Sequence, residues 1–375
     1  MVHSQTLTVL RSYGLTVSQH GLTVSDIVSL LQSEGEDFRQ LMDTALKIKH
    51  QYAGKTVYYR GLIEYSNICG KNCFYCGLRA ENHKNTRYIV TDEEVIETVK
   101  FAHQKRFGSL VLQSGENSNS LNVHHITDLI KRIHQATNHE MGITLSMGEQ
   151  DKKTYQEWFD AGATRYLLRI ETSNEDLYRK IHPNDKNHDF ATRLQALRNL
   201  KKIGYQTGTG VMIGLPFQTI EDLANDLIFM RDLDIDMCGM GPYIEHHDTP
   251  LWQYRDTLLS KQERFNLSLK MIAVLRIMMK DINIASTTAL QTLDPQGREK
   301  GIRAGANIVM PNLTPVKYRE NYLIYENKPG IEQDAGETLE ELERNVIDAG
   351  EEVGYGDTGT SKRFLNRNNH EPETV

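Results

Sequence analysis

The stretch EYSNICGKNCFYCGLR, residues 64–79, decides how the rest of this sequence is interpreted. It follows a β-rich run over residues 57–66 and contains three cysteines within eight residues: Cys69, Cys73 and Cys76. Thiolates spaced four and three residues apart can wrap one compact metal centre. Three protein ligands would leave one iron of a 4Fe–4S cluster open to another ligand.

Other interpretations of these cysteines stay open at this point. A zinc site usually needs four protein ligands, and His83 is the nearby residue that could supply the fourth. Buried thiols without a metal are a further alternative. Cys238 stands alone in an apolar run, where a free cysteine is expected to be a small core residue.

Further β-rich runs follow the cysteine stretch, over residues 109–114, 142–147, 165–170, 207–214, 237–244, 282–288 and 306–311. Helical periodicity lies between them, over residues 92–106, 123–134, 154–161, 190–203, 220–233, 261–279 and, more briefly, 298–304. Glycines such as Gly204 end these helices just before a strand. Eight strand–helix units in one direction predict an α/β fold, a closed (β/α)8 TIM-type barrel, with an open doubly wound sheet as the alternative.

The domain organisation follows from these elements. Residues 1–52 are predicted to form an N-terminal helical segment, with one helix over 36–52, and residues 53–329 the barrel. Residues 330–375 are predicted to be an extension with a last helix over 338–348 and a frayed tail over 366–375.

Composition excludes several classes of protein. The 375 residues are 39% hydrophobic and 25% charged with a net charge of −7, which is typical of a soluble globular protein without a nucleic-acid footprint. The longest apolar stretch, residues 271–279, is too short to span a membrane, and no signal peptide is evident. Four cysteines argue against a disulfide scaffold, so we expect a cytoplasmic protein.

The motif C-x3-C-x2-C, with Tyr75 before its last cysteine, resembles the signature of radical S-adenosylmethionine (SAM) enzymes. Further segments resemble, in order, the HydE family of FeFe-hydrogenase maturases: VLQSGE, TLSMGE, RYLLRIET, TGTGVMIGLPFQT, MCGMGPYIEHHDTPL, IASTTA and GANIVMPNLTP. This resemblance extends from about residue 40 to about residue 330. Biotin synthase and 3-methylornithine synthase are similar at a greater distance.

The resemblance implies an oxygen-sensitive enzyme with two cofactors, a 4Fe–4S cluster and SAM. Cys69, Cys73 and Cys76 would hold three irons, and the amino and carboxylate groups of SAM would chelate the fourth. Reductive cleavage would give methionine and a 5′-deoxyadenosyl radical, which would attack a small cysteine-derived substrate in hydrogenase H-cluster assembly. The implied partners are an amino-acid-like small molecule, such as an iron–cysteine complex, and an electron donor such as flavodoxin or ferredoxin.

The resemblance also assigns residues to SAM. The SGE-type motif would meet the methionine amino group, Glu171 the ribose and Arg193 the methionine carboxylate, while the glycine-rich fifth strand would face the adenine. The full set is Tyr75, Gln113, Ser114, Gly115, Glu116, Glu171, Arg193, Gly210 and Ile213. Taken without the resemblance, Glu116 could be a helix cap and Arg193 a solvated helix charge.

A second set would line a substrate cavity inside the barrel: Thr144, Ser146, Arg169, Thr287, Thr288, Tyr318 and Tyr322. A charged residue on a barrel strand needs a partner, so Arg169 would bind a substrate carboxylate or form a buried ion pair. HydE sequences usually place a histidine where Ile170 stands here. Ile170 leaves open a similar radical enzyme with another substrate, such as a mutase similar to 3-methylornithine synthase. Independently of Ile170, a non-catalytic iron–sulfur protein is an alternative from another class.

Overall fold

The computed structural model describes residues 21–332 and 335–369. The helices are α1 (Val24–Leu31), α2 (Gly35–Tyr52), α3 (Asp92–Gln104), α4 (Ser120–Ala136), α5 (Lys152–Asp160), α6 (Glu175–Ile181), α7 (Phe190–Ile203), α8 (Ile220–Asp232), α9 (Lys261–Met278), α10 (Thr288–Leu293), α11 (Gly297–Arg303), α12 (Val316–Arg319), α13 (Ala335–Asp348) and α14 (Lys362–Asn369). The strands are β1 (Thr56–Ser66), β2 (Ser109–Ser114), β3 (Gly142–Ser146), β4 (Arg165–Leu167), β5 (Gln206–Thr209), β6 (Met212–Ile213), β7 (Met237–Cys238), β8 (Gly241–Pro242), β9 (Asn283–Ile284), β10 (Ile308–Val309) and β11 (Glu352–Gly354).

Eight parallel strands form a ring in the order β10, β1, β2, β3, β4, β5, β7 and β9. The ring closes because a parallel bridge joins Ala285 to Ile308, and the Ser286 N–H donates to the Ile308 carbonyl at 2.8 Å. The (β/α)8 prediction is confirmed. Strands β6 and β8 pair with each other at the carboxyl side, and β11 adds to β1.

Successive side chains along each strand point alternately into the barrel and outwards to the helices. Arg60, Val111, Thr144 and Leu167 line one internal cavity, so they point into the barrel. Residues two positions further along share that face, which places polar side chains such as Gln113 inside at the carboxyl ends. The intervening strand positions are apolar and pack under the helices: Ile63, Leu110, Leu112, Ile143 and Leu145 are all fully buried.

The N-terminal helices α1 and α2 pack on the outside of the barrel, against α8 and α9. Lys49 of α2 forms a fully buried ion pair with Glu351, with 3.1 Å between Nζ and Oε2. Burial lowers the pKa of Lys49 to about 8, although Glu351 opposes this shift. This pair ties the N-terminal helices to the C-terminal extension. None of the helices in residues 21–332 and 335–369 has both the length and the apolar character needed to cross a membrane.

The C-terminal extension closes the amino end of the barrel. Residues 358–361, the base segment, lie across it: Arg60 Nη2 and Asn283 Nδ2 donate to the Gly359 carbonyl at 3.1 and 2.8 Å. Arg165 Nη2 donates to the Thr360 hydroxyl at 3.1 Å. Because this end is closed, a ligand must enter the barrel from the carboxyl ends of the strands.

One prediction for the extension is wrong. Residues 366–369 were expected in a frayed tail, but they belong to α14. Arg367 reaches the buried Asp236, with 2.9 Å between Nη2 and Oδ1, and so anchors the helix. Residues 370–375 and the N-terminal residues 1–20 lie outside the described residues, and the proposed domain boundaries stay a prediction.

Candidate active site

The cysteine loop lies at the carboxyl end of β1, against the end of β2. The Sγ of Cys69 accepts hydrogen bonds from the backbone N–H groups of Lys71 and Glu116, both at 3.4 Å. A Cβ on Gly115 would lie 2.4 Å from the Ile68 carbonyl oxygen, so only glycine permits this approach of the two segments. The loop is therefore held to the second strand by backbone contacts that a side chain at residue 115 would break.

The sulfurs of the loop do not suit a single zinc ion. Sulfurs around one tetrahedral zinc lie roughly 3.8 Å apart. Among the described residues, the group of three metal-binding side chains whose ligand atoms all lie within 4.8 Å is His246, His247 and Asp248, not the cysteines. His83 is exposed. The three cysteine sulfurs do not form such a group among the described residues, which disfavours a single zinc ion.

Burial also determines how these thiols ionise. It raises the pKa of the Cys76 thiol to about 12, with a further rise from neighbouring Cys69, and it raises the pKa of Cys73 well above its usual value. Such thiols become thiolates only when a cation binds them. The donor set of three thiols, one buried and two partly buried, therefore fits the predicted iron–sulfur cluster. Cys238 lies in the core, with its Sγ 3.7 Å from the Met230 sulfur, as predicted.

Two acidic and two basic side chains meet beside the cysteine loop. We call this group the charged frame, and its members are Lys71, Glu116, Glu149 and Arg193. Lys71 Nζ lies 2.9 Å from Glu116 Oε1 and 3.0 Å from Glu149 Oε2. Arg193 Nε lies 2.7 Å from Glu149 Oε1, and its Nη2 lies 3.7 Å from Glu116 Oε2. Each of these side chains is at most 13% exposed. The frame is a neutral, nearly dry cluster at the ends of β2 and β3.

Glycine again determines the geometry of the frame. Gly148 has a φ of +72°, and a Cβ there would lie 2.3 Å from Cγ of Glu116. The Glu149 N–H donates to Glu116 Oε2 at 2.8 Å. Sequence reasoning assigned Glu116 and Arg193 but missed Lys71 and Glu149. The signal for Glu149 was present, because a Gly–Glu pair ends both the second and the third strand.

Glu171 follows β4 in a left-handed backbone conformation, with φ of +68°. Its carboxylate accepts from Arg169 Nε at 3.0 Å and lies 2.9 Å from Arg169 Nη2. The turn after it is held by the buried Asp226, whose Oδ1 accepts from the Ser173 N–H and hydroxyl at 2.6 Å each. Burial raises the pKa of Asp226 to about 7. Arg169 thus has the ion-pair partner that the sequence left open, and this partner is the predicted ribose ligand.

The fifth strand lies beside this turn. The Glu171 N–H donates to the Gly210 carbonyl at 3.1 Å, and a Cβ on Gly210 would lie 2.0 Å from the Gly239 carbonyl oxygen. Ile213 is fully buried in β6. Ile170 is also fully buried, within the main hydrophobic core.

Tyr75 borders the loop through an aromatic contact. Its ring meets His182 edge-on, with 5.2 Å between centroids, and its hydroxyl lies 3.1 Å from His182 Nε2. Burial lowers the pKa of His182 to about 3, and His182 Nδ1 bonds the Tyr178 carbonyl at 2.9 Å. The imidazole is therefore neutral with its proton on Nδ1, and the Tyr75 hydroxyl donates to Nε2.

The residues assigned to the substrate are only partly brought together. Gln113 Nε2 donates to the Tyr322 hydroxyl at 3.2 Å, while Ser146 pairs in register with Gln113 on the inner face. Thr144 lies deeper, lining the internal cavity.

The remaining substrate residues lie nearer the rim. Thr287 stands at the N-cap position of α10, and its hydroxyl donates to the Met240 carbonyl at 3.5 Å. The Thr288 hydroxyl accepts from Arg298 Nη2 at 3.3 Å. Tyr318 is not brought to this group, because its hydroxyl donates to Glu94 of α3 at 2.7 Å and its ring stacks on Tyr88.

Known proteins resemble this chain in sequence and in fold. The model of the Radical SAM superfamily matches residues 63–230. The chain is 45% identical over 288 residues to the FeFe hydrogenase maturase subunit HydE of Thermotoga maritima, covering 77% of this chain and 79% of that protein. It is 30% identical over 351 residues to 3-methylornithine synthase of Methanosarcina barkeri, covering 92% and 93%.

A solved structure extends the comparison. The crystal structure of methylornithine synthase (PylB) superposes with a TM-score of 0.76 at 26% identity, covering 94% of this chain and 98% of that one. Its match over nearly the whole chain agrees with the closed barrel. Together with the cysteine loop and the charged frame, these likenesses show that the chain belongs to the radical SAM superfamily, as a HydE-like enzyme that uses a 4Fe–4S cluster and S-adenosylmethionine.

Proposed function

We propose that this enzyme is a HydE-type maturase whose radical attacks a small, cysteine-derived, sulfur-containing substrate during assembly of the FeFe-hydrogenase H-cluster. The 45% identity to HydE over 77% of the chain is the observation that carries this proposal. The alternative of a non-catalytic iron–sulfur protein is disfavoured, because a closed barrel with charged groups converging at its carboxyl ends is built to enclose a ligand.

The residues of the carboxyl ends would divide the work on the cofactors. Cys69, Cys73 and Cys76 would bind three irons of the cluster, which supplies the electron for reductive cleavage of SAM. Glu116 would accept from the amino group of SAM, and Arg193 would donate to its carboxylate as a fork of N–H groups. The strand and loop positions around them would complete the pocket: Tyr75, Gln113, Ser114, Gly115, Gly210 and Ile213.

The ribose side would depend on Glu171. Its left-handed turn presents the carboxylate at the carboxyl end of β4, where it bonds Arg169. A carboxylate oxygen is a suitable acceptor for two ribose hydroxyls. Arg169 would keep an edge of its guanidinium for the substrate carboxylate, since a guanidinium carries five N–H donors.

The substrate would lie inside the barrel, between hydroxyl groups on the strands and hydroxyl groups nearer the rim. This set is Thr144, Ser146, Thr287, Thr288, Tyr318 and Tyr322, of which Tyr318 would have to leave Glu94 to reach it. A flavodoxin or ferredoxin would supply the electron. These hydroxyl groups together with Arg169 would fit an anionic amino-acid derivative.

Anaerobic turnover tests the proposal. The reconstituted enzyme is reduced, given SAM and assayed for 5′-deoxyadenosine with and without an iron–cysteine carbonyl/cyanide complex. We expect the complex to increase 5′-deoxyadenosine formation by about tenfold, because a bound substrate excludes water and positions the reacting atom. No increase with the complex, while SAM is still cleaved, would contradict the HydE-type assignment.

A second function has its own support, because the match to 3-methylornithine synthase covers 92% of this chain. The same assay with basic amino acids decides between them. Formation of 3-methylornithine would favour the mutase, and its absence together with stimulation by the iron–cysteine complex would favour the maturase.

A further inference from the structure

Lys71 lies within the cysteine loop, two residues after Cys69, yet its side chain leaves the loop for the charged frame. Its Nζ lies 2.9 Å from Glu116 and 3.0 Å from Glu149. Its backbone N–H donates to the Sγ of Cys69 at 3.4 Å. A single residue thus connects the cluster ligands to the frame.

Glu149 is the residue of the frame that contacts both cations at short range. One carboxylate oxygen lies 2.7 Å from Arg193 Nε and the other lies 3.0 Å from Lys71 Nζ. Arg193 is farther from Glu116, at 3.7 Å. Glu149 therefore helps to fix where the two positive charges lie relative to each other, together with the Asn187 carbonyl, which also accepts from Lys71 Nζ.

The frame offers partners for the amino and carboxylate groups of SAM. The carboxylate can accept from the two cations of the frame, and the amino group can donate to one of its two carboxylates. A buried frame can exchange an internal ion pair for these contacts without leaving one of its own charges unpaired. Arg193 Nε lies 2.7 Å from Glu149 and its Nη2 lies 3.7 Å from Glu116, so exchange of the longer contact would leave that Nη group for the carboxylate of SAM.

We propose that Glu149 is a positioning residue for SAM, which holds Lys71 and Arg193 so that both donate to the carboxylate of SAM while Glu116 accepts from the amino group. Lys71 is then a second carboxylate-binding residue beside Arg193. This inference rests on the SAM-binding part of the proposed function and is independent of the substrate.

Ligand binding to the oxidised, cluster-loaded enzyme tests it without turnover. Dissociation constants are measured by equilibrium dialysis for SAM and for methylthioadenosine, which lacks the amino and carboxylate groups. In Lys71→Gln we expect SAM to bind about tenfold more weakly, because a charge-assisted contact to its carboxylate is lost. We expect a similar factor in Glu149→Gln, because Lys71 and Arg193 lose the group that positions them. Methylthioadenosine should bind within about twofold of the parent enzyme, since it makes no contact that these residues position.

Matched controls keep the outcome readable. Glu97→Gln changes an exposed carboxylate on α3 and should alter neither constant. Glu149→Gln and Arg193→Lys are also measured singly and combined. The double variant should bind SAM no more weakly than whichever of these two single variants binds it more weakly, because the two residues act as one unit. Iron content confirms that each variant holds its cluster.

Several results would overturn the inference. SAM affinity within twofold of the parent in Glu149→Gln would show that Glu149 positions nothing. Equal weakening of SAM and methylthioadenosine would indicate general damage to the pocket, and additive losses in the double variant would show independent roles. Failure of the parent enzyme to bind SAM would instead contradict the proposed function itself.

Discussion

The two ends of the barrel both hold arginines, but they give them different partners. At the carboxyl end Arg193 lies 2.7 Å from Glu149, and Arg169 lies 2.9 Å from Glu171. At the amino end Arg60 donates to the Gly359 carbonyl and Arg165 to the Thr360 hydroxyl. Among the described residues neither Arg60 nor Arg165 forms an ion pair. Burial lowers the pKa of Arg165 to about 10.

At the carboxyl end the arginines have charged partners that a ligand can replace. At the amino end they hold a fixed segment of the chain. A carboxylate that pairs with an arginine can be replaced by an anionic ligand at little change in buried charge. A backbone carbonyl has no charge and cannot leave. We therefore expect changes at the carboxyl end to alter chemistry and ligand binding, and changes at the amino end to alter stability.

The largest effect should come from the cysteines. Cys69→Ala, Cys73→Ala or Cys76→Ala should abolish SAM cleavage, because two thiolates cannot hold the three irons of the cluster. Cys238→Ala, in β7 within the core, should keep cleavage and cost about 1 kcal/mol of unfolding free energy. Iron content and 5′-deoxyadenosine formation measure both. Loss of cleavage in Cys238→Ala alone would reverse this assignment.

The sequence predicted the ring of strands well because its signals are local. Each strand is an apolar run next to a helix, and glycines such as Gly204 end helices in a left-handed conformation. The run over 207–214 is interrupted where β5 and β7 approach closely, since a Cβ on Gly210 would meet the Gly239 carbonyl. Such a break depends on a neighbouring strand, and periodicity does not show it.

The parts that sequence reasoning missed depend on contacts between distant segments. Arg367 of α14 bonds Asp236 across 131 positions of sequence, so the last helix looked like a tail. Tyr318 follows β10 as expected, but its partner is Glu94, 224 positions away. Glu149 and Lys71 stood in the quoted motifs, yet their pairing with each other requires the barrel to bring β3 beside the cysteine loop.

Arg169→Ala tests whether the carboxyl end serves cofactor and substrate separately. It should keep SAM cleavage in the absence of substrate and remove most of the stimulation by substrate, about tenfold, because the substrate carboxylate loses its charged donor. Arg169→Lys, which keeps the charge, should restore part of the stimulation. The measurement is 5′-deoxyadenosine formation with and without the substrate. Collapse of cleavage in a folded, cluster-loaded variant would place Arg169 on the cofactor side, through Glu171.

Asp226 is an exception at the carboxyl end, because neutral donors on Ser173 bond its buried carboxyl group. Its pKa is raised by burial to about 7, above the ordinary 3.8, so the native state binds the extra proton between these values. Its contribution to stability is therefore present below pH ~4 and is lost as the pH rises towards 7. Asp226→Asn should remove this loss.

Urea unfolding of the anaerobic, cluster-loaded protein at pH 5 and pH 8 measures the effect. The difference in unfolding free energy between parent and variant should shift in favour of the variant by about 2 kcal/mol on going from pH 5 to pH 8. Asp232→Asn is a suitable control, since Asp232 is an exposed carboxylate at the last residue of α8. A constant difference across this range would mean that Asp226 is ionised throughout.

The smallest effect is expected at the amino end, and its sign is the informative part. Nε and Nη1 of Arg165 have no hydrogen-bond partner among the described residues, and Arg60 adds a second positive charge nearby. A buried charge without an anionic partner lowers stability, so Arg165→Met should raise the unfolding free energy by about 1 kcal/mol even though it loses the bond to Thr360. SAM affinity should stay unchanged. The measurement is urea unfolding. A clear loss of stability would show that Arg165 makes a favourable interaction beyond its bond to the base segment. The proposed contrast between the two ends of the barrel would then be wrong.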